Sequence, residues 1–203
     1  MQTRRILIIT VILATAGTSL FAQEVPAPTI NLKAPKGWSG ETISLPPGFA
    51  KDMSWKGVEV IRFAPGMFKQ ESDTFFTYAF VFWLPEVKTL DAQDVEREML
   101  RYYRGLAKAV SRGNKLAVDP SEFTLDVKAV KDSTNTWNAT LHWAEPFVTR
   151  EKQTLHFRLT LNPANGSDAS VLAVAVSPAS AESDIWKDLN RVLMTFEIKH
   201  ADK

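Results

Sequence analysis

Thr136-Trp137-Asn138-Ala139-Thr140-Leu141-His142-Trp143 and, ten residues on, Gln153-Thr154-Leu155-His156-Phe157-Arg158-Leu159-Thr160-Leu161 decide how this chain is read. In both stretches large apolar side chains alternate with Thr, Asn, His and Arg. Successive side chains of a strand point to opposite sides, so a period of two this regular means half-buried antiparallel strands. Working outward, the pattern extends over Thr136–Phe147 and Gln153–Leu161, and Phe123–Val130 and Ala169–Val176 repeat it, which makes a four-stranded meander. Asn165-Gly166 suits the last hairpin, because both residues accept the positive φ of a tight turn. A turn centred there sets Leu159 opposite Leu172 and Phe157 opposite Val174. A turn centred on Thr149 sets His142 across from His156, and Thr140 across from Arg158.

Upstream, Gly57–Ala64 and Thr74–Leu84 read as two further strands. The second has Phe76, Tyr78, Phe80 and Phe82 on one side and Phe75, Ala79, Val81 and Trp83 on the other. A strand apolar on both sides belongs in the middle of a covered sheet. Asp91–Ser111 predicts a helix: Val95, Met99, Tyr102, Leu106 and Val110 recur at three and four. Asp91 can cap its start, and Gly113 fits a left-handed position just past its end. Asp184–Ile198 predicts a second helix, capped by Ser183, with Ile185, Leu189, Val192, Leu193 and Phe196 turned inward. The order is β-β-α-β-β-β-β-α. Strands grouped in sequence and helices set apart predict an α+β fold, with about six antiparallel strands packed with two amphipathic helices.

The chain has 203 residues, 45% of them apolar, a formal charge of +1 and no cysteine. This composition excludes a disordered chain, a disulfide framework, a cysteine-ligated metal centre and a cysteine nucleophile. A charge near zero gives no reason to expect nucleic acid as a partner. Residues 1–22 read as a secretory signal: Arg4 and Arg5, the aliphatic run Ile6–Leu13, then small residues up to Ala22. The run is shorter than the roughly 20 apolar residues that span a bilayer. The expectation is therefore a secreted or periplasmic protein with no stable membrane anchor in its mature form. Residues 23–36, with Pro26, Pro28 and Pro35, read as an extended leader, and residues 37–203 as a single domain that buries roughly 70% of its unfolded surface.

Pro35-Lys-Gly-Trp38 resembles the short motif that opens PsbP-like domains, and Ile185-Trp-Lys-Asp-Leu-Asn-Arg-Val-Leu-Met-Thr-Phe196 resembles their closing helix. The segment from Leu45-Pro-Pro-Gly-Phe49 through Arg62-Phe-Ala-Pro-Gly-Met-Phe68 resembles small secreted bacterial proteins with no assigned activity. The first resemblance implies a PsbP-like organisation and binding to partners. Neither resemblance supplies catalytic residues.

No phosphate-binding loop, dinucleotide fingerprint, H-E-x-x-H or nucleophile-elbow motif occurs, and nothing in the sequence requires a cofactor. Three groups of residues remain as candidates. An adjacent register beside the His142–His156 pair makes a row Asp126–His142–His156 with Arg158 nearby. Two imidazoles and a carboxylate at cross-strand spacing suit a zinc ion or acid–base work, although the polar side of a sheet is usually just its wet side. Arg97, Arg101, Arg104, Lys108 and Arg112 share one helix face, either as an anion grip or as a solvated surface. Trp38, Phe49, Trp55, Met67 and Phe68 lie in irregular segments, where they either form an apolar patch or close the core, with Glu71 and Asp73 alongside. The leading expectation is a non-catalytic extracytoplasmic binding or accessory domain for a protein or a small ligand. The alternatives are a small metal-dependent or acid–base hydrolase using His142 and His156, and a structural subunit docking through the aromatic N-terminal loops.

Overall fold

The computed structural model describes residues 29–164 and 168–199. Within them the chain runs β1 (Thr29–Leu32), β2 (Ser39–Leu45), β3 (Gly57–Phe63), β4 (Tyr78–Leu84), α1 (Ala92–Ser111), a 3-10 turn at Pro120–Glu122, β5 (Thr124–Ala129), β6 (Thr136–Ala144), β7 (Lys152–Pro163), β8 (Ser170–Ser177), α2 (Ile185–Leu193) and β9 (Phe196–Lys199). The stretch read as an export signal, the start of the expected leader and the turn expected at Asn165-Gly166 lie outside the described residues.

Seven strands form one antiparallel sheet in the order β2-β3-β4-β8-β7-β6-β5. Two meanders build it, β2-β3-β4 and β5-β6-β7-β8, and they join where β8 pairs with β4. Between them α1 carries the chain to the far edge. β4 and β8 are central, and every residue of both is buried, as expected for strands that are apolar on both sides. The two helices take opposite sides. Tyr78, Phe80, Phe82, Leu172 and Val174 face α1 in the larger core. On the other side Ala79, Ala173 and Ala175 leave room for Trp186, Leu189 and Val192 of α2 to lie close to the sheet.

Asp91 caps α1 as predicted, and Asp94 answers it: each side chain accepts the other's backbone N–H, a reciprocal box. The left-handed turn at the end is shared by Arg112 (φ 45°) and Gly113 (φ 84°). Gly105, in mid-helix, has a packing reason. A Cβ there would sit 2.3 Å from the Phe49 carbonyl oxygen and 3.0 Å from Ala50, so only glycine lets the turn before Trp55 press against the helix.

Three strands lie where the periodicity predicts none. β1 falls within the stretch read as leader and pairs with β9 in a separate two-stranded sheet. β2 is the outer edge of the main sheet, and four of its seven residues in a row are exposed, which erases the alternation. β9 overlaps the end of the predicted second helix, which stops at Leu193 instead. There the Thr195 hydroxyl turns back to the Val192 carbonyl and across to that of Lys33, and β1 supplies the pairing that Phe196–Lys199 follows. Ser183 does not cap that helix in the expected way: the first residue outside it is Asp184, and Ser183 Oγ accepts only a long 3.5 Å bond from the Ile185 N–H.

Two strand ends are shorter than predicted. Thr74–Thr77 is a turn, and Phe76 takes a left-handed φ of 49°. Glu145–Thr149 leaves β6 as the β6–β7 turn. The late hairpins keep the predicted sides but slip by two residues. Leu159 faces Val174 and Phe157 faces Val176, while His142 faces Thr154 and Thr140 faces His156. A slip of two preserves inside and outside, so the alternation alone does not distinguish these registers.

Candidate functional site

That slip separates the histidine constellation. Thr124, not Asp126, lies beside His142, and Asp126 lies beside Thr140. His142 shares a 3.2 Å contact between its Nδ1 and the Thr154 hydroxyl, whereas Asp126 pairs with Lys128. Among the described residues no three His, Asp or Glu side chains converge as a metal site. Arg158 ties α2 to the sheet, since its guanidinium stacks 4.6 Å over the Trp186 ring and donates to the Ala181 carbonyl.

Three of the five residues in the basic row of α1 are likewise engaged. Arg97 and Arg101 both donate to Glu98, whose carboxylate is fully buried and also accepts the Ser54 N–H at 2.7 Å. Burial pushes the Glu98 carboxyl up, but the Ser54 amide and the two arginines outweigh it and hold the group below its ordinary value. Arg104 donates to the Ser121 and Phe123 carbonyls and clamps the 3-10 turn. The anion grip that the row suggested is therefore largely spent on the protein's own carboxylates and carbonyls.

The aromatic segments divide. Trp55 is buried and meets Phe82 edge to face, at 5.9 Å between ring centroids. Trp38 packs partly buried on the α2 side. Phe49, Met67 and Phe68 instead meet at an open groove of about 330 Å³ on the α1 side of the β2 end of the sheet. Its walls are Ser39, Glu41 and Ile43 of β2, Ile61 and Phe63 of β3, Tyr102 and Leu106 of α1, and Phe147 of the β6–β7 turn. This size lies within the range of small-ligand sites. Phe68 and Phe147 stand 51% and 38% exposed, with their ring centroids 5.5 Å apart. Glu71 and Asp73 do not line the groove.

Local chemistry holds both rings in place. The β3–β4 connection is a run of tight turns, Met67 to Ala64, Lys69 to Gly66 and Ser72 to Lys69. Gly66 is required there: its φ is +88°, and a Cβ would fall 2.2 Å from the Ser72 hydroxyl oxygen. Phe76 is held in its left-handed conformation by its N–H bond to the Met67 carbonyl and by a fully buried ring wedged among Tyr78, Trp143 and Phe147. Such a conformation costs on the order of 1–3 kcal/mol for a bulky residue. Across the groove, the buried Glu145 carboxylate accepts the N–H groups of Phe147, Val148 and Thr149 and the Thr149 hydroxyl. This nest folds the turn tightly, so Phe147 and Val148 stand outward.

Beneath the groove lies a buried polar cluster. Glu59, on the α1 side of β3 between Ile43 and Phe82, is fully buried. Its two carboxyl oxygens share one donor, the Tyr102 hydroxyl, at 3.2 Å each. Burial lifts the carboxyl to about 8; the Tyr102 bond lowers it, and Glu41 nearby adds to the rise. Beside it the Tyr78 and Tyr103 hydroxyls are hydrogen-bonded to each other, and burial raises both far above the ordinary tyrosine value. The signal for Glu59 is present in the strand pattern: it shares a side with Ile61 and Phe63, an acid on an apolar face. Phe147 has one too, as a large ring inside a hairpin turn.

No protein-family model and no curated protein sequence matches the chain. Among the solved structures that are similar in part are two from different organisms. LpqN of Mycobacterium tuberculosis, described as involved in cell envelope biogenesis, is 13% identical over 87% of each chain with a TM-score of 0.32. The Ran-binding protein Mog1p of Saccharomyces cerevisiae is 10% identical over 79% of this chain and 95% of its own, with a TM-score of 0.33. Similarity at this level transfers no function to the chain.

Proposed function

We propose that this chain is a non-catalytic extracytoplasmic binding domain whose ligand seats an apolar group in the groove between β2, α1 and the two aromatic turns. One observation carries the reading: Phe68 and Phe147 are presented side by side at the mouth of an apolar groove by turns built to hold them. A fold that buries Trp55, Phe76 and Trp143 does not leave two adjacent phenyl rings half exposed for its own stability. His142 and His156, by contrast, stand on the polar side of the late strands, out of register with each other. The resemblance of the chain's two ends to PsbP-like domains points toward partner binding as well. Residues 1–22 make export part of the reading, and a mature N-terminus just after Ala22 is its expected signature.

The groove is tested with a neutral apolar dye, N-phenyl-1-naphthylamine. Its fluorescence should rise on binding, and the double variant F68A/F147A should weaken binding more than tenfold, at about 1 kcal/mol for each ring removed. Unchanged dye affinity in a folded double variant contradicts the reading.

A further inference from the structure

The groove walls alone leave the chemistry of the occupant open, and the sheet edge beside them narrows it. Resting on the groove as the binding site, we infer that it takes an extended peptide segment, which adds as a strand to the free edge of β2 and drops alternate apolar side chains between Phe68, Phe147 and Tyr102.

β2 is the terminal strand of the sheet, and among the described residues no strand pairs with its outer side. Its pairing with β3 is unbroken over seven residues, with no bulge, so the outer row of amide and carbonyl groups is regular. An open, regular edge is a template for another strand. The opposite edge is guarded: β5 carries the Asp126–Lys128 ion pair. β2 has one charge, Glu41, and no proline.

The groove follows this edge. Ser39, Gly40, Glu41 and Ile43, four of the seven residues of β2, line it. Consecutive strand side chains on one side are spaced by about 6.6 Å, so a paired peptide presents every second side chain to the groove. Glu41 is the only charged side chain lining the groove among the described residues, which selects a basic residue in register with apolar neighbours. A second copy of β2 fits poorly. On the groove side it offers Ser39 and Glu41 at one end, with Ile43 and a Leu45 already buried in its own core at the other, and it sets Glu41 near its own copy.

The test uses the full chain and an acetylated, amidated eight-residue peptide with Leu, Leu, Lys and Leu at alternate positions and Thr between them. Two derivatives are N-methylated, one at the Thr amides and one at the Leu and Lys amides. Each keeps every side chain and removes the donors from one edge only. Displacement of N-phenyl-1-naphthylamine reads affinity. The parent should bind, one derivative should lose more than tenfold, and the other should bind like the parent. E41K, at an exposed position, should weaken the Lys peptide about fivefold and strengthen its Glu counterpart. If both derivatives bind like the parent, or if none of the peptides displaces the dye, the inference is overturned while the groove reading stands. A dimer at micromolar concentration that the peptide does not dissociate gives the edge to a second copy and also overturns it. Dye binding indifferent to Phe68 and Phe147 removes the groove reading and the inference together.

Discussion

Replacing Glu59 with Gln tests the buried cluster under the groove through the pH dependence of stability. In the unfolded chain this carboxyl titrates at its ordinary value of 4.5, whereas in the fold burial holds it protonated up to about 8. Between those values the folded state keeps a proton that the unfolded state has lost. Stability is therefore full below about 4.5, falls as pH rises, and levels off above about 8. A displacement of this size corresponds to about 5 kcal/mol, a ceiling because hydration of a locally opened Glu59 caps the cost. Gln keeps the shape and the contact with the Tyr102 hydroxyl and carries no charge. Urea denaturation of both proteins at pH 5, 6.5, 8 and 9 gives the difference, in which all other titrating groups cancel. E59Q should be within about 1 kcal/mol of the parent at pH 5 and more stable by several kcal/mol at pH 9. With a urea slope of about 2 kcal/mol/M, that shifts the midpoint by 1–2 M. A difference that stays flat across this range refutes the placement of a neutral carboxyl in the core.

Three further substitutions separate structure from function. Glu98 should slope the opposite way from Glu59. E98Q should cost about 2–4 kcal/mol at pH 7 by leaving two arginines and the Ser54 amide short of a charged acceptor, and the loss should shrink below pH 4.5 as the parent's own carboxylate protonates; urea midpoints at pH 3 and 7 check it. G105A should lower the melting temperature, because the Cβ contact with the Phe49 carbonyl outweighs the roughly 1 kcal/mol that alanine ordinarily adds to a helix interior. A rise on calorimetric melting contradicts that packing. H142A/H156A should leave stability within about 0.5 kcal/mol and dye affinity unchanged, as measured by urea denaturation and fluorescence titration.

The parts of the fold that alternation encodes are legible in the sequence. Trp137 through Trp143 and Leu155 through Leu161 announce their buried side, and Val95 through Leu106 announces α1. Register escapes, because moving β7 by two residues leaves every leucine inside. β2 and β9 escape for different reasons: one is an edge exposed on both sides, and the other shares its apolar residues with a helix-like spacing. Phe68 is legible as a loop aromatic, and Trp55 and Trp38 look the same in sequence, yet only the packing of the turns sorts the exposed ring from the buried ones. The groove joins segments about 100 residues apart, Ser39 to Phe147, and no local motif carries a meeting at that separation.

The most direct measurement is a map of backbone amide chemical shifts on adding the Leu–Lys peptide to the isotope-labelled protein. Shifts are expected along Ser39–Ile43 and at Phe68, Tyr102 and Phe147, with His142, His156 and Arg158 undisturbed. Shifts gathered on the β6–β7 polar surface, with the groove silent, would contradict that placement of the peptide.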